Sequence, residues 1–412
     1  MDRPAPTPDA PTFDRAAVLD GADPGLAVVA AWTAAVDGWL ARLYEHALAS
    51  VGGPGPGDGS GVALVAIGGY GRAQLCPGSD LDLLLLHARA VGAEPIATAL
   101  WYPIWDAGLK LGHSVRTPKQ ALTLASDDLD TATALLDTRV LAGDSLLADS
   151  LAREAREQWE RRGKRWLARL ADSVDERHER ADEIAFLLEP DLKLARGGLR
   201  DIHAVRWAEA ARKVMLDDDH TTIDAAEADL LAIRAELHRV AGRAGDVLLL
   251  EQQDAVAAAL GLDGGADELM AVVADRGRSV AWRSNETWHR VRAMLAGPGW
   301  SMGGRPREIG PGLALRDREV HLTAAADPAA DPPVALRAAA AAARLDTRID
   351  RGSLARLATE TAPFGDPWPA GGREALVELL LTGEAAIPQI EALDQVGIWL
   401  RVLPEWTTAR NR

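Results

Sequence analysis

The 412-residue sequence has a single cysteine, Cys76, so it holds no internal disulfide framework and suits a reducing compartment. It has no surplus of positive charge: 45 Lys and Arg stand against 61 Asp and Glu, a formal net charge of −16. Proteins that grip a phosphodiester backbone need a basic footprint, so a nucleic-acid partner is disfavoured. No apolar run reaches about 18 residues and no secretory leader is recognisable, and the expectation is a soluble, cytoplasmic protein with no membrane partner. No internal repeat is evident. What is present is 48% hydrophobic residues, enough for real cores in two or three domains.

The informative stretch is "AIGGYGRAQLCPGSDLDLLLLH", Ala66 to His87. "LDLLLL" reads as a strand that is apolar on both faces beyond Asp82, which suits a central strand. Asp80 and Asp82 share one face at its entrance, about 7 Å apart along the backbone. Two like charges there repel each other, and burial worsens the repulsion. A divalent cation reverses the sign of that argument, because hard oxygen ligands suit Mg²⁺, with Mn²⁺ as an alternative. The preceding strand, Gly61 to Ile67, is followed by "GGYGR". A strand, a glycine turn and a helix start form a phosphate-cradling geometry. No Lys follows as a P-loop requires, and Gln74 stands where a dinucleotide fingerprint needs its last Gly. The bland alternatives are a tight turn and a strand cap. The adjacency and order of the two motifs favour metal and phosphate.

This pattern resembles the polymerase-β-type nucleotidyltransferase superfamily. With "LWYPIWDAGLKLGHSVRT", "ATALLDTRVLAGD" and "LEPDLKLARGGLRDIH" it resembles, more closely, the bifunctional PII-protein uridylyltransferase/uridylyl-removing enzymes of nitrogen regulation; the four blocks span roughly Ala66 to His203. The resemblance maps the metal-binding, catalytic aspartates onto Asp80 and Asp82, and the Gly-Gly onto Gly68 and Gly69. Gly71, Arg72 and Ser79 complete the expected phosphate site, although Arg72 and Ser79 also have solvated or capping readings. A third carboxylate is usual in the superfamily. The strand expected over Leu109 to Thr117 offers His113, Ser114 and Arg116 but no acid, and Asp137 is the nearest candidate for a third catalytic carboxylate. In "LKLARGGLRD", Lys193, Arg196 and Arg200 surround Gly197 and Gly198 before a helix. The resemblance implies that this segment closes over the nucleotide; the alternative is an interdomain turn. Asp201 supports the metal site or caps that helix. The scattered Trp residues read as core.

The expected fold class is α+β: a nucleotidyltransferase domain over 16–143, a helical domain over 144–296, a linker over 297–312 and a small α/β region over 313–412, behind a disordered tail of 1–15. "LALRDREVHLT" reads as a hairpin around Asp317. The resemblance implies Mg²⁺-dependent transfer of a nucleotidyl group, uridylyl above all, from UTP to a tyrosine of a PII-type signal protein, releasing pyrophosphate. The alternatives are an ATP-using adenylyltransferase acting on a PII protein or on glutamine synthetase, and a catalytically silent regulatory protein. A nucleic-acid polymerase is disfavoured by the charge. The family's hydrolase domain is marked by adjacent His-Asp, which occurs nowhere in these residues. The expectation is a truncated, N-terminal portion that neither removes nucleotide nor senses glutamine.

Overall fold

The computed structural model describes residues 10–89, 91–297 and 306–411. They fall into two compact units, 1–287 and 288–412, each with its own sheet.

The first unit opens with α1 (Arg15–Asp20) and α2 (Leu26–Val51). A four-stranded sheet follows: β1 (Val62–Ala66), the short α3 (Gly68–Gly71), β2 (Leu81–His87), α4 (Glu94–Asp106), β3 (Leu111–Arg116), α5 (Pro118–Ala125), α6 (Leu129–Leu136) and β4 (Arg139–Gly143). Strand order is β3-β2-β1-β4. β1 runs antiparallel to β2 and β4, whereas β2 and β3 are parallel. A parallel pair needs a crossover, and α4 provides it.

Alternation along β2 explains its two apolar faces. Leu81, Leu83 and Leu85 enter a core with Trp32, Trp39, Leu40 and Leu43 of α2 and Ile96, Leu100 and Trp101 of α4. Asp82, Leu84 and Leu86 face the other way. α2 is long and apolar enough to cross a bilayer by length and composition. Its Trp32, Val36, Trp39, Leu40 and Leu43 are all buried, and they pack as a core helix.

Residues 1–9 of the expected tail lie outside the described residues. Residues 10–15 depart from it: Trp39 Nε1 donates to the Pro11 carbonyl at 2.8 Å, and the Phe13 ring sits 5.3 and 5.1 Å from Trp32 and Trp39. One aromatic residue is enough to anchor that segment.

Helices complete the unit: α7 (Ser145–Arg161), α8 (Gly163–His178), α9 (Leu199–Ala211), α10 (Asp217–Ala241), α11 (Leu250–Ala259) and α12 (Gly265–Ala296). The boundary expected at 143/144 does not divide the chain; the division falls within α12, between Thr287 and Trp288. One reason is Asp144, whose carboxylate caps α7 at Leu147 N–H and also accepts the N–H groups of Gly59 and Gly61.

In the second unit the expected linker partly vanishes: 298–305 lie outside the described residues, and Arg307–Gly310 form β5. β6 (Leu313–Arg316) and β7 (Glu319–Leu322) make the expected hairpin, with Asp317 and Arg318 at φ 51° and 63°. α13 (Val334–Arg344), β8 (Arg348–Ile349), α14 (Arg351–Glu360), α15 (Gly372–Leu380) and α16 (Ala386–Gln395) follow, with sheet order β5-β6-β7-β8.

Candidate active site

A cleft of about 820 Å³ opens where β1 meets α3 and β2 begins. Its lining includes Gly68, Gly69, Arg72, Ser79, Asp80 and Asp82 from the sheet region, and Lys193, Arg200, His203, Trp207, Arg234, His238 and Asp246 from the segments around α9 and α10. Among the described residues, neither the Asp80 nor the Asp82 carboxylate has a hydrogen-bond or ion-pair partner. Burial and the neighbouring Asp80 hold the Asp82 carboxyl above its ordinary value, while Lys193 and Arg200 pull it down. β3 makes room for this carboxylate. Gly112 pairs with Asp82, and a Cβ at Gly112 would stand 2.5 Å from Asp82 Oδ1.

The glycine turn is fixed from below. A Cβ on Gly71 would overlap the Asp137 carbonyl oxygen, at 1.6 Å. Arg72 is held by three groups: Nε donates to Gln74 Oε1 at 2.9 Å, Nη1 to Asp137 Oδ2 at 2.6 Å, and Nη2 lies 3.0 Å from His203 Nε2. Burial drives the His203 imidazole down to about 3, with Arg72 adding to the effect and the Glu227 contact opposing it. His203 is therefore neutral across the physiological range.

The loop before β2 is fixed from above. Gly78 N–H donates to His238 Nδ1 at 3.1 Å, His238 Nε2 lies 3.0 Å from the Gly245 carbonyl, and Arg234 Nη1 donates to Ser79 Oγ at 3.2 Å. Arg234 Nε in turn reaches Asp246 Oδ1 at 2.7 Å, and Lys193 Nζ lies 3.7 Å from Asp246 Oδ2. Burial raises the Asp246 carboxyl, but the His238 and Arg234 contacts outweigh it and hold the group well below the carboxylate range.

Paired, unpartnered carboxylates in a cleft also lined by Lys193, Arg200 and the buried Arg234 have the donor set for a metal–triphosphate ligand. Residues 164–287 match the family described as GlnD PII-uridylyltransferase. The bifunctional uridylyltransferase/uridylyl-removing enzyme of Streptomyces coelicolor is 42% identical over 397 residues, covering 91% of this chain and 46% of that protein. The enzyme of the same name from Mycobacterium tuberculosis is 38% identical over 371 residues, covering 87% and 45%. Over these stretches the chain is similar to the PII-uridylyltransferases. It spans a little under half the length of these two curated relatives.

Set beside this uridylyltransferase relationship, the expected site residues separate into two groups. Gly68, Gly69, Arg72, Ser79, Asp80, Asp82, Lys193 and Arg200 line one cleft; Gly71, Asp137, Arg196 and Gly198 are not among its lining residues. Asp137 meets the site through Arg72 instead. Arg196 Nε lies 3.7 Å from Glu183, and Gly198 is the residue before α9. Asp201 is wholly buried: it accepts from Gly197 N–H at 2.7 Å and pairs with Arg177 at 2.7 Å and His178 at 2.9 Å, so it holds the glycine turn. His113 points away from the cleft, toward the rings of Trp101 and Trp105. Trp207 departs from the core reading: it lines the cleft, with the Arg200 guanidinium carbon 5.7 Å from its ring.

Arg234, His238, Asp246 and His203 were not legible as site residues. The spacing of Arg234 and His238 put them on one helix face, the single local hint. Ser114 and Arg116 alternate with Gly112 on the face of β3 beside Asp82, and both line the cleft.

Proposed function

We propose that the chain transfers a nucleotidyl group, uridylyl in the first instance, from a nucleoside triphosphate to a tyrosine hydroxyl of a PII-type signal protein, with pyrophosphate leaving. The observation that carries this reading is the pair Asp80 and Asp82, left without a protein partner in a cleft also lined by Lys193, Arg200 and Arg234. The donor set fits Mg²⁺, since both groups are hard oxygen ligands, and a cation would offset the burial and the Asp80 repulsion that raise the Asp82 carboxyl. Asp80 and Asp82 would hold the ion, which supplies neutralising charge at the transferring phosphate.

The chain's own residues do the rest. The glycine turn at Gly68 and Gly69, both of which line the cleft, starts α3, whose first N–H groups have no partner within the helix. Lys193, Arg200 and Arg234 offset the charge of the β- and γ-phosphates and the leaving pyrophosphate. The hydroxyl oxygen of the acceptor forms the new bond to the α-phosphorus as the bond to pyrophosphate breaks. Catalysis of this kind is mainly positioning and charge stabilisation.

The test is to incubate the chain with a PII-type protein, Mg²⁺ and either UTP or ATP, and to read the intact mass of the acceptor. One uridylyl group added per subunit is the expected result. Gain with ATP alone replaces uridylyl by adenylyl. No gain and no pyrophosphate with either nucleotide overturns the proposal.

A further inference from the structure

One histidine and two carboxylates converge in the second unit, with a second histidine against one of the carboxylates, on residues that nucleotidyl transfer does not use. Glu319 and His321 are alternate residues of β7 and share a face. Asp350 follows β8, whose Ile349 pairs with Val320 between them. His289 comes from the part of α12 that belongs to this unit.

Glu319, His321 and Asp350 each place a ligand atom within 4.8 Å of the other two. His289 Nε2 lies 3.2 Å from Glu319 Oε1, and His321 Nδ1 lies 3.3 Å from Asp350 Oδ2. A charge-assisted hydrogen bond runs at about 2.7–2.9 Å, shorter than either pair. Ligands about 2.0–2.1 Å from a tetrahedral zinc ion stand about 3.3 Å from one another. The His321–Asp350 spacing matches that edge length, and Glu319 lies within 4.8 Å of both.

Two further observations favour an ion. The side chains are 13% to 27% exposed, sheltered yet reachable from solvent. Asp350 is already oriented, because its Oδ2 caps α14 by accepting from Ser353 N–H and Oγ at 2.8 and 3.0 Å. The opposing feature is Arg316, whose Nη2 stands 3.4 Å from His321 Nδ1. That side chain is half exposed and has open solvent to turn into.

We propose that Glu319, His321 and Asp350 form a three-ligand binding site for a zinc-type divalent ion, with His289 holding Glu319 in place. Mixed imidazole and carboxylate donors select Zn²⁺ over Mg²⁺, the reverse of the all-oxygen pair Asp80 and Asp82. The ion joins the β6–β7 hairpin and the start of α14.

The experiment uses the full chain carrying Asp80→Asn and Asp82→Asn, freed of metal with chelator and titrated calorimetrically with ZnCl₂. One equivalent of Zn²⁺ binds, the melting temperature rises, and excess Mg²⁺ does not compete. Co²⁺ in place of Zn²⁺ gives the strong visible bands of a tetrahedral site. Asp350→Asn keeps a helix-capping side chain, and His321→Ala removes the nitrogen donor; each weakens Zn²⁺ binding at least about tenfold. His289→Ala, which removes only the group that holds Glu319, weakens it less than either. Absence of binding heat and of a thermal shift overturns the proposal, as does unchanged affinity in both Asp350→Asn and His321→Ala.

Discussion

Arg72 and Asp137 form a 2.6 Å ion pair that ties the glycine turn to the end of α6. The pair makes a distinction that sequence cannot. If Asp137 acts by holding Arg72, Asp137→Asn lowers turnover and raises KM for the nucleotide while the Mg²⁺ concentration for half-maximal activity stays unchanged. Loss of a charge-assisted bond costs about 1.5–3 kcal/mol, so kcat/KM falls by roughly ten- to a hundredfold. A shift in the Mg²⁺ requirement would instead make Asp137 a metal ligand.

Asp80→Asn with Asp82→Asn removes two unpartnered carboxylates from the cleft. Folding is retained and the melting temperature is unchanged or higher, because the pair is mutually repulsive without an ion. Transfer is abolished. Calorimetric melts alongside an acceptor-mass assay check both halves; a double variant with wild-type turnover would falsify the metal assignment.

Gly112→Ala tests the same pair without touching it. Its Cβ would come 2.5 Å from Asp82 Oδ1, and the carboxylate must swing aside. The expected outcome is a folded chain with activity reduced by at least about tenfold, since a displacement of about 1 Å can cost a hundredfold. Circular dichroism and turnover measured on one preparation decide it.

Lys193→Ala with Arg200→Ala removes two of the cleft's cations. The apparent Kd for Mg-nucleotide rises by about tenfold or more, at about 1.5–3 kcal/mol for each lost charge-assisted bond. Isothermal titration reads this directly, and unchanged affinity returns the segment to a purely architectural role.

His203 gives the fold a pH dependence of definite sign. Its imidazole titrates at about 3 when folded, against an ordinary value of 6.5. Above 6.5 it is neutral folded or unfolded and contributes no slope. As pH falls from 6.5 toward 3, the unfolded chain takes up a proton that the folded chain refuses, and stability drops by up to about 1.4 kcal/mol per pH unit from this group. In His203→Gln, denaturant midpoints measured between pH 6.5 and 4.5 should fall less steeply than in the parent chain.

Strand β2, the glycine turn before it and the hairpin at Asp317 were all legible because each is a local pattern: alternation, glycine placement and a polar turn between apolar runs. The helical contribution was not. Arg234 and His238 lie more than 150 positions from Ser79 and Gly78, and an amphipathic helix does not announce which face meets a distant loop. Asp246 carries no signal at all, being one acid in a short connection. The boundary at 143/144 followed a real change of composition, yet composition reports helix content and not compactness. Contacts such as Asp144 to Gly59 and Gly61 hold the two stretches together.

The grip of α10 on the 78–79 loop bears on where this protein can be cut. Asp80 owes its place to a turn whose N–H and hydroxyl are satisfied by His238 and Arg234. A fragment trimmed after β4 would keep every strand of the first sheet and both aspartates and still lose the groups that set the loop. Ending after α10 would still omit Gly245 and Asp246, which orient those two side chains. Engineering a minimal transferase from this scaffold therefore cannot stop at the sheet; the smallest useful piece must carry the chain through the connection after α10.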